Sequence, residues 1–213
     1  MSNSTLRFLQ QENQRLIDEN SRLHEEAMAM RDYLKGLRLL QRAAEAIAAE
    51  VDPLGLLDKI LYSVLTVMDV ANGSVMLLDD QADELVFVVV HGVLGHSLRG
   101  HRIPSDQGIA GWVATHKEPQ IVNNVRADQR FFGGIDEAFQ FETHSLLCVP
   151  MISRGKVLGV IEVLNKFNQQ DFNETDVNLL STLACIAAMS IDWLGSEEVG
   201  DDAANGTNLS TNP

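Results

Sequence analysis

Cysteine and basic residues are scarce in this chain, and each scarcity argues against a class of protein. Only two cysteines occur among the 213 residues, and neither has a neighbour at metal-ligand spacing. Cys148 and Cys185 each stand in an apolar run, which predicts reduced core residues without a redox role. Lysine and arginine total 16 against 30 acidic residues, for a net charge of −14, and they form no cluster. Direct nucleic-acid binding is therefore not expected.

Long apolar runs are also missing, although the composition is that of a globular protein. The hydrophobic fraction is 45%, yet no segment approaches the ~20 consecutive apolar residues that a membrane-spanning helix needs. The N-terminus is polar and lacks the apolar core of a signal peptide. We therefore expect a cytoplasmic protein with no membrane partner.

A seven-residue apolar repeat occupies the start of the chain. Its two sets of seam positions are Leu9, Leu16, Leu23, Met30 and Leu37, and Leu6, Asn13, Asn20, Ala27 and Leu34. The repeat predicts a two-stranded coiled coil over about residues 5–44, within a dimerisation stalk of residues 1–50. Because asparagines in the seam pair best with each other, they favour a parallel homodimer. A single helix folded back on its own domain is the alternative, but the polar residues between seam positions leave little surface to cover a core.

Residues 51–195 carry the pattern of a mixed α+β domain. Predicted helices at 53–70 and 173–194 enclose predicted strands at 74–78, 85–90, 120–122, 145–152 and 157–165, with a short helix at 109–116. The first long helix follows Asp52 and Pro53, a typical cap and first-turn residue, and Asn173 with Asp176 forms a capping-box pattern. The order predicts an antiparallel sheet with helices on both faces. Residues 196–213 are acidic and polar, which predicts a disordered tail.

Three sequence blocks stand out within this domain, namely DQGIAGWVA at 106–114, SLLCVPM at 145–151 and GVIEVLNK at 159–166. Together they closely resemble the GAF family of small-molecule sensor domains, over about residues 50–194. Within that family the chain looks most like the GAF domains of cyclic-nucleotide phosphodiesterases and bacterial adenylyl cyclases. The resemblance implies a GAF-type sheet with a ligand pocket on one face.

A further motif of those GAF domains consists of Asn-Lys, a gap, Phe, three residues and Asp-Glu. Here it reads as Asn165-Lys166, Phe172 and Asp176, and Val177 replaces the final glutamate. In the family the lysine and aspartate form a structural ion pair behind the pocket. The resemblance therefore implies that Lys166 and Asp176 hold the last helix to the last strand without touching ligand.

The resemblance also implies the residues that line the pocket. They are Ser74, His91, Ile109, Ala110, Asn124, Phe131, Phe132, Thr143 and Glu162. The two phenylalanines would either stack on a base or pack in the core, and Thr143 matches a family position that contacts nucleotide. Relatives that bind cyclic nucleotides often have glycine where this chain has Gln140. Glu162 lies between Ile161 and Val163, so it points to the opposite face and, if buried, needs a partner: a purine edge, His91 or Arg154.

These features predict a homodimeric cytoplasmic signalling protein. Its GAF domain would bind a small molecule, cyclic AMP or cyclic GMP, and transmit the state through the coiled coil to a kinase, cyclase or transcriptional regulator. The alternative is a dimerisation and scaffolding module with a degenerate pocket and no ligand. An enzyme is not expected, because the sulfoxide reductases of this fold need several reactive cysteines and no catalytic triad or phosphate loop is present. The histidine spacing fits no metal site.

Overall fold

The computed structural model describes residues 3–49 and 52–205, and the chain divides into two compact units of residues 1–39 and 40–213. The first long helix, α1, covers Asn3–Ala49, so the predicted stalk is helical throughout its described part. Ion pairs along its surface join Arg15 to Glu12 and Glu19. The apolar seam residues Leu9, Leu16, Leu23, Met30 and Leu37 remain 44–59% exposed, and Asn13 and Asn20 are exposed as well. The coiled-coil dimer itself stays a prediction.

The second helix, α2, covers Pro53–Met68 and begins as its sequence predicts. The carboxylate of Asp52 accepts hydrogen bonds from the amides of Leu54 and Gly55 at 3.2 and 3.1 Å, which satisfies two of the free N–H groups of the first turn. The helix ends two residues before the predicted boundary, because Asp69 takes a left-handed conformation with φ of 54°. Val70 then starts the first strand.

Six strands form one antiparallel sheet in the order β3-β2-β1-β6-β5-β4. Their bounds are Val70–Asp79 for β1, Glu84–His91 for β2, Arg102–Pro104 for β3, Gln120–Val122 for β4, Leu146–Ser153 for β5 and Lys156–Lys166 for β6. Strands β1 and β2 form one hairpin and strands β5 and β6 form another. Strand β1 starts four residues earlier than predicted because it pairs with β6 down to Val70. The longest strands thus occupy the centre of the sheet.

Helices cover both faces of the sheet, which confirms the GAF-type architecture. One face is closed by α2 and by the last helix, α6, which covers Glu174–Asn205. The other face carries three short helices, α3 (Gly95–Leu98), α4 (Gly108–His116) and α5 (Gly134–Phe139). Successive residues of β6 alternate between these two faces. Val160 belongs to the core cluster beneath α4, whereas Ile161 and Val163 lie on the opposite face, and all three are fully buried.

Helix α6 begins with the predicted capping box but is longer than predicted. The side chain of Asn173 accepts from the amides of Thr175 and Asp176, and Asp176 accepts from the amide of Asn173. The helix continues to Asn205, so residues 196–205 are helical where a disordered tail was expected. No proline interrupts this stretch, so each of its residues can donate its N–H to the helix backbone. Residues 206–213, the rest of the expected tail, lie outside the described residues.

The two cysteines occupy opposite environments. Cys148 is fully buried, as predicted, but Cys185 is exposed, which corrects the expectation that both are core residues. The apolar run around Cys185 is helical, and only its sheet-facing members, such as Ala184 and Ala188, are buried. Cys185 lies on the outward side with its Sγ 4.0 Å from Met189 Sδ.

None of the helices within residues 3–49 and 52–205 has the length and apolar character of a membrane span.

Candidate ligand-binding cavity

A cavity opens between the sheet and the short helices α3, α4 and α5. It is open to solvent at its mouth, and its lining is mostly apolar with a few polar side chains, a composition typical of small-molecule sites. Eight of the nine predicted ligand residues line it: Ser74, His91, Ile109, Ala110, Phe131, Phe132, Thr143 and Glu162. Strands β1, β2 and β6 supply the floor, whereas α4 and the segment around α5 supply the walls.

Asn124 is the predicted residue that the structure places elsewhere. It is exposed, and its carbonyl accepts a 3.1 Å hydrogen bond from the amide of Ala127 in a single 3₁₀ turn. That turn buries Val125 completely in the core, so its neighbour Asn124 faces outward. Asn124 therefore does not line the cavity, and its role in ligand binding stays a prediction.

Glu162 is the most unusual group in the cavity. Apart from the surface that it presents to the cavity, the side chain is enclosed by protein, and no described residue hydrogen-bonds its carboxyl. Burial, and secondly the negative charge of Asp136, raise the pKa of Glu162 to about 7. A carboxyl with a raised pKa that lines a cavity is typical of functional sites rather than of cores.

Neither of the protein partners predicted for Glu162 pairs with it. His91 Nε2 lies 3.1 Å from Asp58 Oδ1 on α2, and Arg154 Nε lies 3.0 Å from Asp192 Oδ2 on α6. Each alternative partner is therefore occupied elsewhere. The carboxyl of Glu162 is therefore available to a ligand in the cavity.

A second buried carboxylate, Asp136 on α5, lines the same cavity and was not predicted. Its two oxygens accept from the amide and the hydroxyl of Thr143 at 2.9 and 2.8 Å, and Arg126 Nη2 lies 3.5 Å away. Asp136 is thus satisfied by protein donors where Glu162 is not. Its contact with Thr143 spans seven residues and an intervening chain reversal, so no local pattern in the sequence could have identified it.

The first turn of α4 faces the cavity with unpaired backbone groups. Gln107 precedes it without a side-chain cap, and the amides of Gly108, Ile109 and Ala110 have no acceptor among the described residues. Gly108 has φ of 71°, and a Cβ there would lie 3.4 Å from Phe132 Cβ, so glycine suits both the conformation and the space. Free N–H groups at a helix start favour an anion.

Aromatic rings line the rest of the cavity, namely Phe87, Phe131, Phe132 and Phe141. Phe131 also packs against the core cluster, so the two interpretations of this residue, cavity lining and core packing, are compatible. Phe132 stays 42% exposed, which leaves a ring face free at the wall of the cavity. These rings provide flat apolar surface that a planar ligand can stack on.

Two sequence features outside the cavity have a structural explanation. Lys166 Nζ lies 2.6 Å from Asp176 Oδ2 with both side chains almost completely buried, so this pair joins β6 to α6 and neither residue lines the cavity. Gln140 adopts φ of 53° as the left-handed cap of α5. Glycine is the preferred residue in such a cap, so the departure at Gln140 changes backbone strain rather than a cavity contact.

No grouping of three potential metal ligands occurs among the described residues.

Comparisons with known proteins agree with this architecture. The chain is 40% identical over 91 residues to the dual 3',5'-cyclic-AMP and -GMP phosphodiesterase 11 of Drosophila melanogaster, which covers 42% of this chain and 6% of the fly protein. It is 31% identical over 144 residues to the dual 3',5'-cyclic-AMP and -GMP phosphodiesterase 11A of Takifugu rubripes, which covers 63% of this chain and 16% of that protein. The chain therefore spans a small part of the length of the curated relatives it matches.

Solved structures show the same fold. A GAF domain of a phosphoenolpyruvate-protein phosphotransferase from Coxiella burnetii superimposes with a TM-score of 0.71 at 20% identity, covering 78% of this chain and 98% of that one. The corresponding domain from Acinetobacter gives a TM-score of 0.66 at 28% identity, covering 78% and 97%. Residues 52–191, more than half of the chain, match the family described as the GAF domain, and the chain belongs to the GAF domain family.

Proposed function

We propose that this chain is a ligand-responsive signalling dimer whose GAF domain binds a cyclic nucleotide, cyclic AMP or cyclic GMP. The bound state would pass through the coiled coil of α1 to a partner protein such as a kinase, a cyclase or a transcriptional regulator. The similarity to cyclic-nucleotide phosphodiesterases supports this proposal, and it concerns their GAF regions rather than a catalytic domain. The protein would act by binding and not as an enzyme.

The distribution of polar groups in the cavity carries the proposal. The free amides of Gly108, Ile109 and Ala110 suit an anionic phosphate. The phenylalanine rings suit the flat face of a base. The unpartnered carboxyl of Glu162 suits the N–H groups on the edge of a purine. A cyclic nucleotide combines these three chemical groups in one small molecule.

Signal transmission would depend on the segment 124–143, which carries Phe131, Phe132 and Thr143 to the cavity. A ligand that contacts these side chains together with the sheet would stabilise the closed arrangement of that segment. Such a ligand can shift the equilibrium only by its difference in affinity for the two arrangements. The shift would then reach the helices that flank the sheet.

Thermal unfolding and titration calorimetry with each nucleotide test the ligand. Saturation at 100 times the Kd should stabilise the protein by about 2.7 kcal/mol. Thr143→Val removes a cavity hydroxyl together with its hydrogen bond to Asp136, and it should weaken binding about tenfold, the effect of one hydrogen bond. Asn124→Ala, an exposed site outside the cavity, is the matched control and should bind as the wild type does. If neither nucleotide at millimolar concentration changes the unfolding temperature, the cyclic-nucleotide assignment fails and scaffolding becomes the better hypothesis.

Native mass spectrometry and ultracentrifugation test the dimer. Leu16 is a seam residue with 52% of its surface exposed in the single chain, so Leu16→Glu would place a charge in the interface and dissociate the dimer. Phe8 is also exposed, at 64%, but lies off the seam, and Phe8→Glu should leave the dimer intact. A wild-type monomer, or equal behaviour of the two variants, would contradict the coiled-coil assignment.

A further inference from the structure

Two carboxyl side chains share this cavity without any lysine or arginine among its described lining residues. Asp136 is satisfied by Thr143 and lies near Arg126, so it keeps a charge at low cost. The Glu162 carboxyl accepts no hydrogen bond from a described residue, and a second negative charge beside Asp136 in the same enclosed space would be unfavourable. This arrangement of charges therefore favours a proton on Glu162.

None of the groups that face Glu162 takes up this proton in its place. Across β6 its register neighbours are Ser74 on β1 and Cys148 on β5. Burial raises the pKa of the Cys148 thiol well above its ordinary value, and the charge of Glu162 raises it further, so Cys148 stays neutral. From α5 the facing group is Asp136, and from β2 the cavity is lined by His91, which already contacts Asp58. The pKa of Glu162, raised to about 7, agrees with a proton held by this carboxyl.

The two protonation states of Glu162 present different hydrogen-bonding patterns to a ligand. The ionised carboxylate offers acceptors only, which matches two adjacent N–H donors such as those on the edge of guanine. The protonated carboxyl offers one donor and one acceptor, which matches the acceptor and donor pair on the edge of adenine. Guanine could pair with it only through its O6 and N1–H, which leaves the second N–H donor of guanine without this partner. A purine that enters the cavity therefore meets a partner whose pattern depends on one proton.

We infer that Glu162 is a proton-dependent specificity residue: guanosine 3',5'-cyclic monophosphate binds with its carboxylate, and adenosine 3',5'-cyclic monophosphate binds with its carboxylic acid. This inference rests on the proposed function, because it takes the ligand to be a cyclic purine nucleotide. Binding of the guanine nucleotide then releases a proton near neutral pH, and binding of the adenine nucleotide takes one up. The preference of one site would follow the pH of its surroundings.

Calorimetry with both nucleotides at pH 6 and pH 8 tests the inference, each in two buffers of different ionisation enthalpy so that exchanged protons are counted. Between pH 6 and pH 8 the Kd of the guanine nucleotide should fall about tenfold and that of the adenine nucleotide should rise about tenfold, because the carboxyl titrates near 7. The proton counts should have opposite signs. This experiment uses the wild-type chain and does not depend on any variant folding.

Glu162→Gln isolates the group responsible, because its amide keeps one donor and one acceptor and does not titrate. It should remove the pH dependence of the affinity for both nucleotides. Glu142→Gln, whose side chain is 70% exposed, is the matched control and should keep the wild-type pH dependence. Proton exchange that persists in Glu162→Gln would assign the proton to another group and overturn the inference.

The outcomes separate this inference from the proposal beneath it. If the wild type binds neither nucleotide at either pH, the cyclic-nucleotide function is wrong and the inference falls with it. If it binds them with a Kd that does not change with pH and without proton exchange, the function stands and the role of Glu162 is wrong. Opposite pH dependences for the two nucleotides support both.

Discussion

At the end of β6, Lys166 and Asp176 pair at 2.6 Å with almost completely buried side chains, whereas four residues earlier Glu162 is enclosed without a hydrogen-bond partner among the described residues. The first region resembles an ordinary structural ion pair, in which each charge satisfies the other. In the second region, ionisation of Glu162 lowers the free energy of unfolding, because no described residue offsets its charge. The difference shows where the fold is optimised for stability and where it is left open for a ligand.

The largest expected effect comes from breaking the satisfied pair. Lys166→Met would leave the carboxylate of Asp176 buried with only the amide of Asn173 as a donor, and loss of one partner of a buried pair costs about 3 kcal/mol or more. Lys156→Met is the matched control, because Lys156 pairs with Asp80 at the surface with both side chains more than half exposed, and it should cost about 1 kcal/mol at most. Chemical denaturation measures both, and equal losses would contradict the contrast.

Glu162→Gln should have the opposite effect on stability. The pKa of Glu162 in the folded state is raised from 4.5 to about 7. The contribution of this group to the free energy of unfolding of the wild type is therefore most favourable below pH 4.5, and it is lost as pH rises to 7. The full loss corresponds to about 3 kcal/mol. The unfolding temperature of Glu162→Gln should therefore match that of the wild type near pH 4.5 and exceed it at pH 8. A difference that is constant with pH would refute the assignment.

A smaller gain is expected at Gln140, in the cap of the helix that carries Asp136. Its left-handed backbone, with φ of 53°, costs a non-glycine residue about 1 kcal/mol. Gln140→Gly should therefore stabilise the protein by up to about 1 kcal/mol in denaturant unfolding without altering nucleotide affinity. Gln129→Gly, at a position without positive φ, should lower stability by about 0.5 kcal/mol. Loss of affinity in Gln140→Gly would show instead that the side chain contributes to the cavity.

The smallest effect concerns the cysteines, which repeat the contrast between closed and open regions. Cys185 is exposed and Cys148 is fully buried with a raised thiol pKa. A thiol reagent at pH 8 should modify one cysteine per folded chain and two per unfolded chain. Cys185→Ala should change the free energy of unfolding by no more than about 0.5 kcal/mol and abolish the fast reaction. Equal reaction rates of both thiols in the folded protein would contradict these placements.

Local patterns predicted much of this fold because the signals that define its elements are local. The cap of Asp52 and the box of Asn173 with Asp176 depend on groups two or three residues apart. The alternation around Glu162 similarly placed its side chain on the face opposite Ile161 and Val163. The error at Cys185 has a related origin. In a helix whose residues are apolar on all sides, the sequence does not show which side faces the sheet, because the packing of the helix decides it.

The sequence by itself determined the helical stalk and the order of strands and helices, since spacing and composition encode these features directly. Its GAF motifs, through the resemblance to that family, also indicated eight of the nine predicted residues that line the cavity. Only the tertiary structure decided which polar and charged side chains pair with each other. It paired Asp136 with Thr143, His91 with Asp58 and Arg154 with Asp192, and it left Glu162 facing the cavity. Such pairings join residues from separate elements, and their energies depend on distance and burial, which exist only once the chain has folded.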